Sequence, residues 1–544
     1  MKRSVIVSAG MVALGALVLA GCSGEQSSGP ANTSSPAAGV DMVAQQPAAS
    51  GEIDALEWAY YAVLPTLDPA RSMSREAGQI IGNLCDTVLR TEPDLTTADN
   101  LASLTRVSDT EYELALVEGA TFWDGTPVTA EDVVYSLTRH MDPAVGSDFA
   151  EFYTNVAAIE ATDATTVGVT MSQPDILFEK ALGTMGGAVM QKAFSEAAGE
   201  SLGSLQGDLM CSGPFRIASS DPSAKIVLER NDEYWREDTK PLAATVTINY
   251  LQDGSIAAAA LQSGDVSGMY SFPSVSMDQL TSAGVGEAYP GLSNSTFSFV
   301  VGGLDGNPLE DVRLRTALSL AIDREAISQR IFPNGGAPAT SFLGAAARAD
   351  VDHTASLNAT ADVEAAKALV EEALGSDGQS RPIKLSYTSG VGAEVGQMAL
   401  YLEQVATSIG LEIELDDKAP MDWVQGVMSA TTDPSFDLTF NYSSNAVNDA
   451  YASFLRVLPG SVDNYSGYDN ADVTAKIAEG RSTLDAAERG KIAGEIEAQV
   501  LEDLPIIPVS WVPRQVFVNG EVGGAALSDA TYMGYPWAAT IGKK

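Results

Sequence analysis

The chain has 544 residues, 45% of them hydrophobic, and its 72 acidic against 31 basic side chains leave a formal net charge of −41 at pH 7. A surface this acidic repels phosphate backbones, which argues against nucleic acid as a partner. The apolar content and the recurrent periodic segments argue against a disordered chain, and the length suffices for more than one core.

In chain order, Lys2 and Arg3 precede an uncharged apolar run from Val5 to Ala20. That run is shorter than the roughly 20 residues a helix needs to cross a bilayer, so residues 1–21 read as a signal peptide. It closes on Leu19-Ala20-Gly21-Cys22, which resembles the lipobox of bacterial lipoproteins. The resemblance implies that Cys22 is diacylated and becomes the first mature residue, and two or three acyl chains hold a protein firmly at a membrane. Residues 23–50 are mostly Ser, Gly, Pro, Ala and Gln with few large apolar side chains. Such a stretch cannot offset its ordering entropy, so 22–51 is expected to be a flexible tether and the folded body to start near Glu52. If Cys22 is lipidated, Cys85 and Cys211 remain as an even pair in an oxidising compartment. A disulfide between them is expected, with two separately buried thiols as the alternative.

Within the body, strand-like and helix-like segments alternate, as in an α/β protein. Tyr112 to Leu116, Lys225 to Glu229, Thr245 to Asn249 and Glu412 to Leu415 read as strands. Ala130 to His140, Asp311 to Ile331, Val363 to Leu374, Val395 to Ile409 and Ala486 to Asp503 read as helices. Thr129-Ala130-Glu131-Asp132 is a helix start, with a hydroxyl at the N-cap and carboxylates in the first turn. Glu131 and Asp132 diverge by about 100° on a helix, so capping accounts for them and acid–base catalysis does not.

The run Phe122-Trp123-Asp124-Gly125-Thr126-Pro127-Val128-Thr129-Ala130-Glu131-Asp132-Val133 resembles the signature of the peptide/nickel/opine-binding solute-binding proteins of ABC importers, family 5. Other landmarks follow in order: Leu67 to Ala70, Cys211 to Phe215, Leu228 to Trp235, Leu261 to Val266, Val312 to Ala317, Ala321 to Arg324 and Leu504 to Pro508. Cys211 and Ser212 stand where the family has Gly and Thr. The resemblance covers about Leu56 to Trp511. It implies a two-lobed, periplasmic-binding-protein-like (type II) α/β fold with an extra subdomain in the first lobe. By that analogy the first lobe is 52–297, the second 298–509, and 510–544 returns to the first. The crossings are expected near Asn294 to Val300 and Ile506 to Trp511.

The resemblance also implies the activity. A small solute, above all a short peptide, is captured between the lobes and delivered to an ABC permease, by a monomer anchored through its lipid at the outer face of the cytoplasmic membrane, with no cofactor or resident metal. In peptide-binding members an Asp of the second lobe pairs with the peptide's amino terminus. Here that position falls on Ala446 or Val447, within Phe436 to Ala450. Asp449 is the nearest carboxylate, but it better matches a structural Asp of the family. The aromatic candidates for the cleft are Tyr60, Tyr61, Trp423, Tyr442 and Trp511, and strand alternation sends Tyr60 and Tyr61 to opposite faces. Ser212, Gly213, Ser443, Asn445 and Asp449 complete the candidate ligand contacts.

Three other readings compete. For an enzyme, the chain offers two histidines, His140 and His353, far apart, and no metalloprotease, Walker A or nucleophile-elbow motif. For nickel capture, imidazole ligands would have to converge, which a helix residue and a loop residue so separated are not expected to do. A structural or signalling lipoprotein would need no hinge. Opines and oligosaccharides remain alternatives to peptides as the solute.

Overall fold

The computed structural model describes residues 46–544, apart from positions 65, 73–74, 207, 272–279, 292, 304–305, 334, 349, 377 and 429–435. The expected signal peptide, Cys22 and most of the expected tether lie outside these residues. Residues 46–51 pair with the C-terminal segment: Gly524 donates to the Pro47 carbonyl at 2.9 Å, and Gly51 forms a bridge with Lys543.

Two sheets organise the body. The first has seven strands in the order Gly286–Gly291, Arg514–Asn519, Gly268–Tyr270, Ile53–Tyr60, Ala243–Tyr250, Lys225–Arg230 and Phe215–Asp221. The strand Ile53–Tyr60 is parallel to both neighbours, and the outer pairs are antiparallel. The second has six strands in the order Ala337–Pro338, Ile506–Trp511, Thr296–Val301, Leu438–Ser443, Ile383–Tyr387 and Ile413–Asp417. A four-stranded antiparallel sheet, from Ala102–Ser108 to Thr166–Met171, is inserted between the first two strands of the large sheet in chain order. These are the two lobes and the extra subdomain.

Burial explains which segments were legible. In Glu111–Leu116, Tyr112 and Leu114 face inward while Glu111, Glu113 and Ala115 face water, the alternation of a one-sided sheet. Thr296–Val301 and Ile506–Trp511 are buried at all six positions, so they show no alternation. The expected helix from Asp311 to Ile331 is two helices, Val312–Ala321 and Arg324–Ile331. Ile322 leaves helical geometry, and the Asp323 carboxylate then accepts the Ala326 N–H as a new N-cap. A short acid in mid-helix competed for the backbone and won.

The chain passes between sheets twice, and the passages lie side by side. The last pair of the first sheet is Gly291 with Arg514, and the first pair of the second is Thr296 with Trp511. Between them Val512 donates to the Ser295 carbonyl at 3.0 Å. The links are thus 292–295 and 512–513, with Thr296–Val301 and Ile506–Trp511 already ladder-bonded members of the second sheet. Asn294 Nδ2, Ser295 Oγ and Thr296 Oγ1 are buried without a hydrogen-bond partner among the described residues.

Several landmark residues turn out to be internal fastenings. Asp68 holds Arg139, at the end of the signature helix, through bonds of 2.8 and 2.7 Å. Buried Asp86 accepts from Ser212 Oγ (3.0 Å), Tyr234 OH (2.8 Å) and Trp235 Nε1 (2.9 Å), beside a disulfide that joins Cys85 to Cys211 across 126 positions. The fully buried Arg324 donates to the Pro508, Ser319 and Asn358 carbonyls. Arg315 does the same for Asp503, Leu309 and Glu310.

Candidate ligand cleft

A cavity of about 1040 Å³ lies between the lobes. That is the upper end of the volumes typical of small-molecule sites, roughly 300–1,000 Å³. The first lobe contributes Tyr61, just past the strand Ile53–Tyr60, and the turn-rich segment around Ser147 to Thr154. The return segment supplies Arg514, Asp529, Tyr532 and Met533. The second lobe supplies Asn441 to Ala446, where a central strand runs out of its sheet, then Leu455, Arg456 and the loop from Leu458 to Asp463.

Each wall is held from behind. On the first lobe, Ser147 Oγ lies 2.7 Å from His140 Nδ1 and 3.1 Å from the Ala70 carbonyl. His140 is buried and stacked on Tyr153 at 4.6 Å, and burial pushes its pKa down to about 4. The neutral imidazole is therefore a brace for the rim. On the return segment, Arg514 Nε donates to Asp529 Oδ1 at 2.8 Å. The other Asp529 oxygen accepts the Asn294 N–H at 2.8 Å and the Ser293 hydroxyl at 3.1 Å. One carboxylate thus ties Ser293 and Asn294 of the first link to Arg514, the strand residue that follows the second. The Arg514 guanidinium also lies 3.9 Å over the Tyr532 ring, and the neighbouring carboxylate raises its pKa against the effect of burial.

The lobes also touch directly. Arg481, in the helix Ala471–Ser482, donates to Asp175 of the first lobe at 2.6 Å, and both side chains are buried. The same guanidinium reaches the Glu151 carbonyl at 3.3 Å. The helices between residues 450 and 503 share one continuous apolar core with the first lobe, including Tyr451, Phe454, Val473, Ile492 and Val500. The two lobes thus meet through this core beside the cavity.

Of the sequence candidates, Tyr61, Tyr442, Ser443 and Asn445 line the cavity. Ser443 Oγ donates to the Thr296 carbonyl at 3.2 Å, and Asn445 Nδ2 donates to Ser453 Oγ at 2.6 Å, so both also fasten the wall. The other six stand elsewhere. Tyr60 is buried, with its ring 5.5 Å from that of Tyr61 and 6.3 Å from that of Tyr250, so the two tyrosines do not diverge as strand alternation implied. Ser212 bonds Asp86, and a side chain at Gly213 would strike the Leu84 carbonyl. Trp423 stacks on Phe440 at 4.6 Å and donates to Thr439 Oγ1. Trp511 donates to the Leu343 carbonyl, with Arg348 over its ring at 4.9 Å. Asp449 caps the helix Ala450–Phe454 by accepting the Tyr451 N–H at 2.9 Å, and burial raises its pKa. Ala446 does line the cavity, while Val447 is 0% exposed in the core.

Sequence reasoning missed the charged lining. Glu151, Arg456 and Asp463 all face the cavity. Only Arg456 carried a signal: it is a lone charge in the apolar run Ala452-Ser453-Phe454-Leu455-Arg456-Val457-Leu458.

Fold and cleft define an extracytoplasmic type of solute-binding protein. The chain belongs to the bacterial extracellular solute-binding proteins, family 5, whose pattern matches residues 94–465. These are substrate-binding proteins of ABC transporters and not enzymes. The periplasmic murein peptide-binding protein MppA of Escherichia coli strain K12 is 24% identical over 467 residues, 82% of this chain and 85% of that protein. The solved structure of the ABC transporter substrate-binding protein CtaP from Listeria monocytogenes superposes with a TM-score of 0.80 at 23% identity, covering 90% of this chain and 99% of that one. The protein AgaA of A. tumefaciens R10, solved with agropinic acid, gives 0.76 at 22% identity over 90% of this chain and 99% of its own. Among the described residues no helix is long and apolar enough to cross a membrane.

Proposed function

We propose that this chain is the lipid-anchored receptor of an importer and that it captures a short peptide in the cavity between its lobes for delivery to the permease. The observation that carries the reading is the cavity itself, about 1040 Å³ and lined by both lobes beside the paired links. Its mixed lining of Tyr, Ser, Asn and charged groups suits a solute with a polar backbone and varied side chains. The peptide-binding relative that matches over most of the chain supports the same class. Cleavage before Cys22, acylation of that thiol and a tether that ends before the paired residues 46–51 would hold the monomer at the outer face of the cytoplasmic membrane.

A second reading is favoured by Ala446 and Val447, which put no charge where a peptide's amino terminus would be met. An opine-like amino-acid conjugate, the ligand class in the AgaA structure, fits that change. The nickel reading has no residue to favour it, because His140 bonds Ser147 and His353 bonds Glu497.

The test is a thermal-shift screen of the mature chain against separate pools of short peptides, opine-like conjugates and oligosaccharides. A ligand at 100 times its Kd adds about 2.7 kcal/mol. Peptides are expected to raise Tm; a shift only in another pool would replace the peptide reading, and silence in all would remove capture. Cys22→Ala should release the chain from the membrane fraction, and retention there would exclude the lipid anchor.

A further inference from the structure

Four buried arginines in this molecule are matched. Arg324 and Arg315 spend their guanidinium hydrogens on carbonyls, while Arg481 and Arg514 meet carboxylates. Arg456 differs. It is 5% exposed, borders the cavity, and gives only its Nε hydrogen to the Ser453 carbonyl at 3.1 Å. Among the described residues its two Nη groups have no acceptor and the side chain takes part in no ion pair. Its guanidinium carbon lies 4.7 Å from the centroid of the Phe342 ring. A guanidinium so placed costs solvation energy until an anion supplies the missing bonds, and a planar carboxylate matches both Nη groups at once.

The surroundings limit which anion can enter. Asp463 lies close enough to Arg456 for their charges to interact, and Glu151 approaches from the first lobe, with Ser461 Oγ at 3.5 Å from its carboxylate. Arg481 and Asp175 lie behind Glu151. In this neighbourhood Glu151, Asp463 and Asp175 stand against Arg456 and Arg481, three negative charges to two positive. A bare anion would meet net repulsion, whereas a molecule bearing both charges would satisfy the Arg and complete the balance. Burial raises the pKa of both Glu151 and Asp463, against the opposing charges of Arg481 and Arg456 respectively.

We propose that Arg456 is the anion receptor of the cleft, taking a carboxylate of the captured solute on its Nη groups while Glu151 and Asp463 hold a cationic group of the same molecule. The solute is therefore a zwitterion with a free carboxylate. This rests on the reading that the cavity holds the solute, and it names the part of the cleft that replaces the missing second-lobe Asp.

The experiment measures Kd by calorimetry for trialanine and related tripeptides without side-chain carboxylates, each as free acid and as C-terminal amide. Mature protein is compared with Arg456→Gln and Arg456→Lys. In the unaltered protein the acid should bind on the order of 10- to 100-fold more tightly than the amide, the range of a charge-assisted bond. The difference should vanish in Arg456→Gln and shrink in Arg456→Lys, which keeps the charge but loses the fork; thermal melts of each variant check folding. N-acetylation should weaken binding in the unaltered protein and much less in Asp463→Asn. Equal affinity for acid and amide, or an acid preference that survives in Arg456→Gln, overturns the proposal. If no tripeptide binds, the peptide reading fails while Arg456 is still decided by opine-like conjugates and their methyl esters. There a preference for the free acid that disappears in Arg456→Gln upholds the proposal, and its absence overturns it.

Discussion

Asp86 and Arg456 are both buried charged residues, one beneath the disulfide and one at the cavity, and they are treated in opposite ways. Asp86 is surrounded by Ser212, Tyr234 and Trp235, which together donate three hydrogen bonds to it. Arg456 has one bond from Nε and none from either Nη among the described residues. The contrast separates a fastening from a receptor: the first is complete in the folded chain, and the second is complete only when something enters. Four substitutions or titrations test that contrast, in descending order of effect.

Replacing the fastening should do most harm to stability and least to recognition. Asp86→Ala strands three buried donors and should destabilise by about 4 kcal/mol. Its Tm should fall sharply while Kd for any ligand stays within about twofold when measured well below that Tm. A weakened Kd with unchanged Tm would break the distinction.

The rim brace gives the next effect, and its sign follows from protonation. Folded His140 stays neutral down to about pH 4, while in the unfolded chain it binds a proton near its ordinary value of 6.5. The unfolded state therefore binds more protons between these values, and stability contributed above pH 6.5 is lost as pH falls toward 4. The loss is about 3 kcal/mol. Arg139 and Asp68 face the same imidazole and oppose each other in charge. Denaturation at pH 7 and pH 4.5 should show a smaller difference in His140→Gln than in the unaltered protein; equal differences would remove His140 from the account.

Arg481→Ala tests the contact between lobes. Its loss leaves Asp175 buried and unpaired only while the lobes are closed, so the open form gains. Ligand affinity should fall by about tenfold and the radius of gyration of the ligand-free chain, measured by small-angle scattering, should rise. Unchanged scattering would mean that the pair serves folding alone. The smallest effect belongs to Arg456→Gln without ligand: a guanidinium with no ion pair is removed while Asp463 loses a nearby cation, so stability should change by no more than about 1 kcal/mol. A loss of several kcal/mol would make Arg456 a fastening like Asp86.

The same contrast explains what could be read from the residues alone. The landmarks that resemble family 5 are largely fastenings: Asp68 with Arg139, Ser212 and Tyr234 with Asp86, Arg324 with Pro508. They carry the fold, so the two lobes and the inserted sheet were legible, as were strands such as Glu111–Leu116 with their alternating burial. The break at Ile322 was not, because Asp323 reads equally well inside a helix and as a cap. Tyr61, Tyr442, Ser443 and Asn445 reached the cavity, yet Ser212, Gly213, Trp423, Asp449 and Trp511 make internal contacts instead. Motif position alone does not distinguish a polar group that bonds its own fold from one left open to a solute. Glu151, Asp463 and Arg514 come from segments far apart in sequence, and only the folded chain brings them to one space.

The most direct test of the central claim is a crystal structure of the mature chain with a bound solute from whichever pool raises Tm. The account predicts a single ligand inside the cavity, touching both lobes, with its carboxylate on the Nη groups of Arg456 and the Asp86 cluster unchanged. A ligand bound outside that cavity, or one held there with Arg456 still facing empty space, would contradict it.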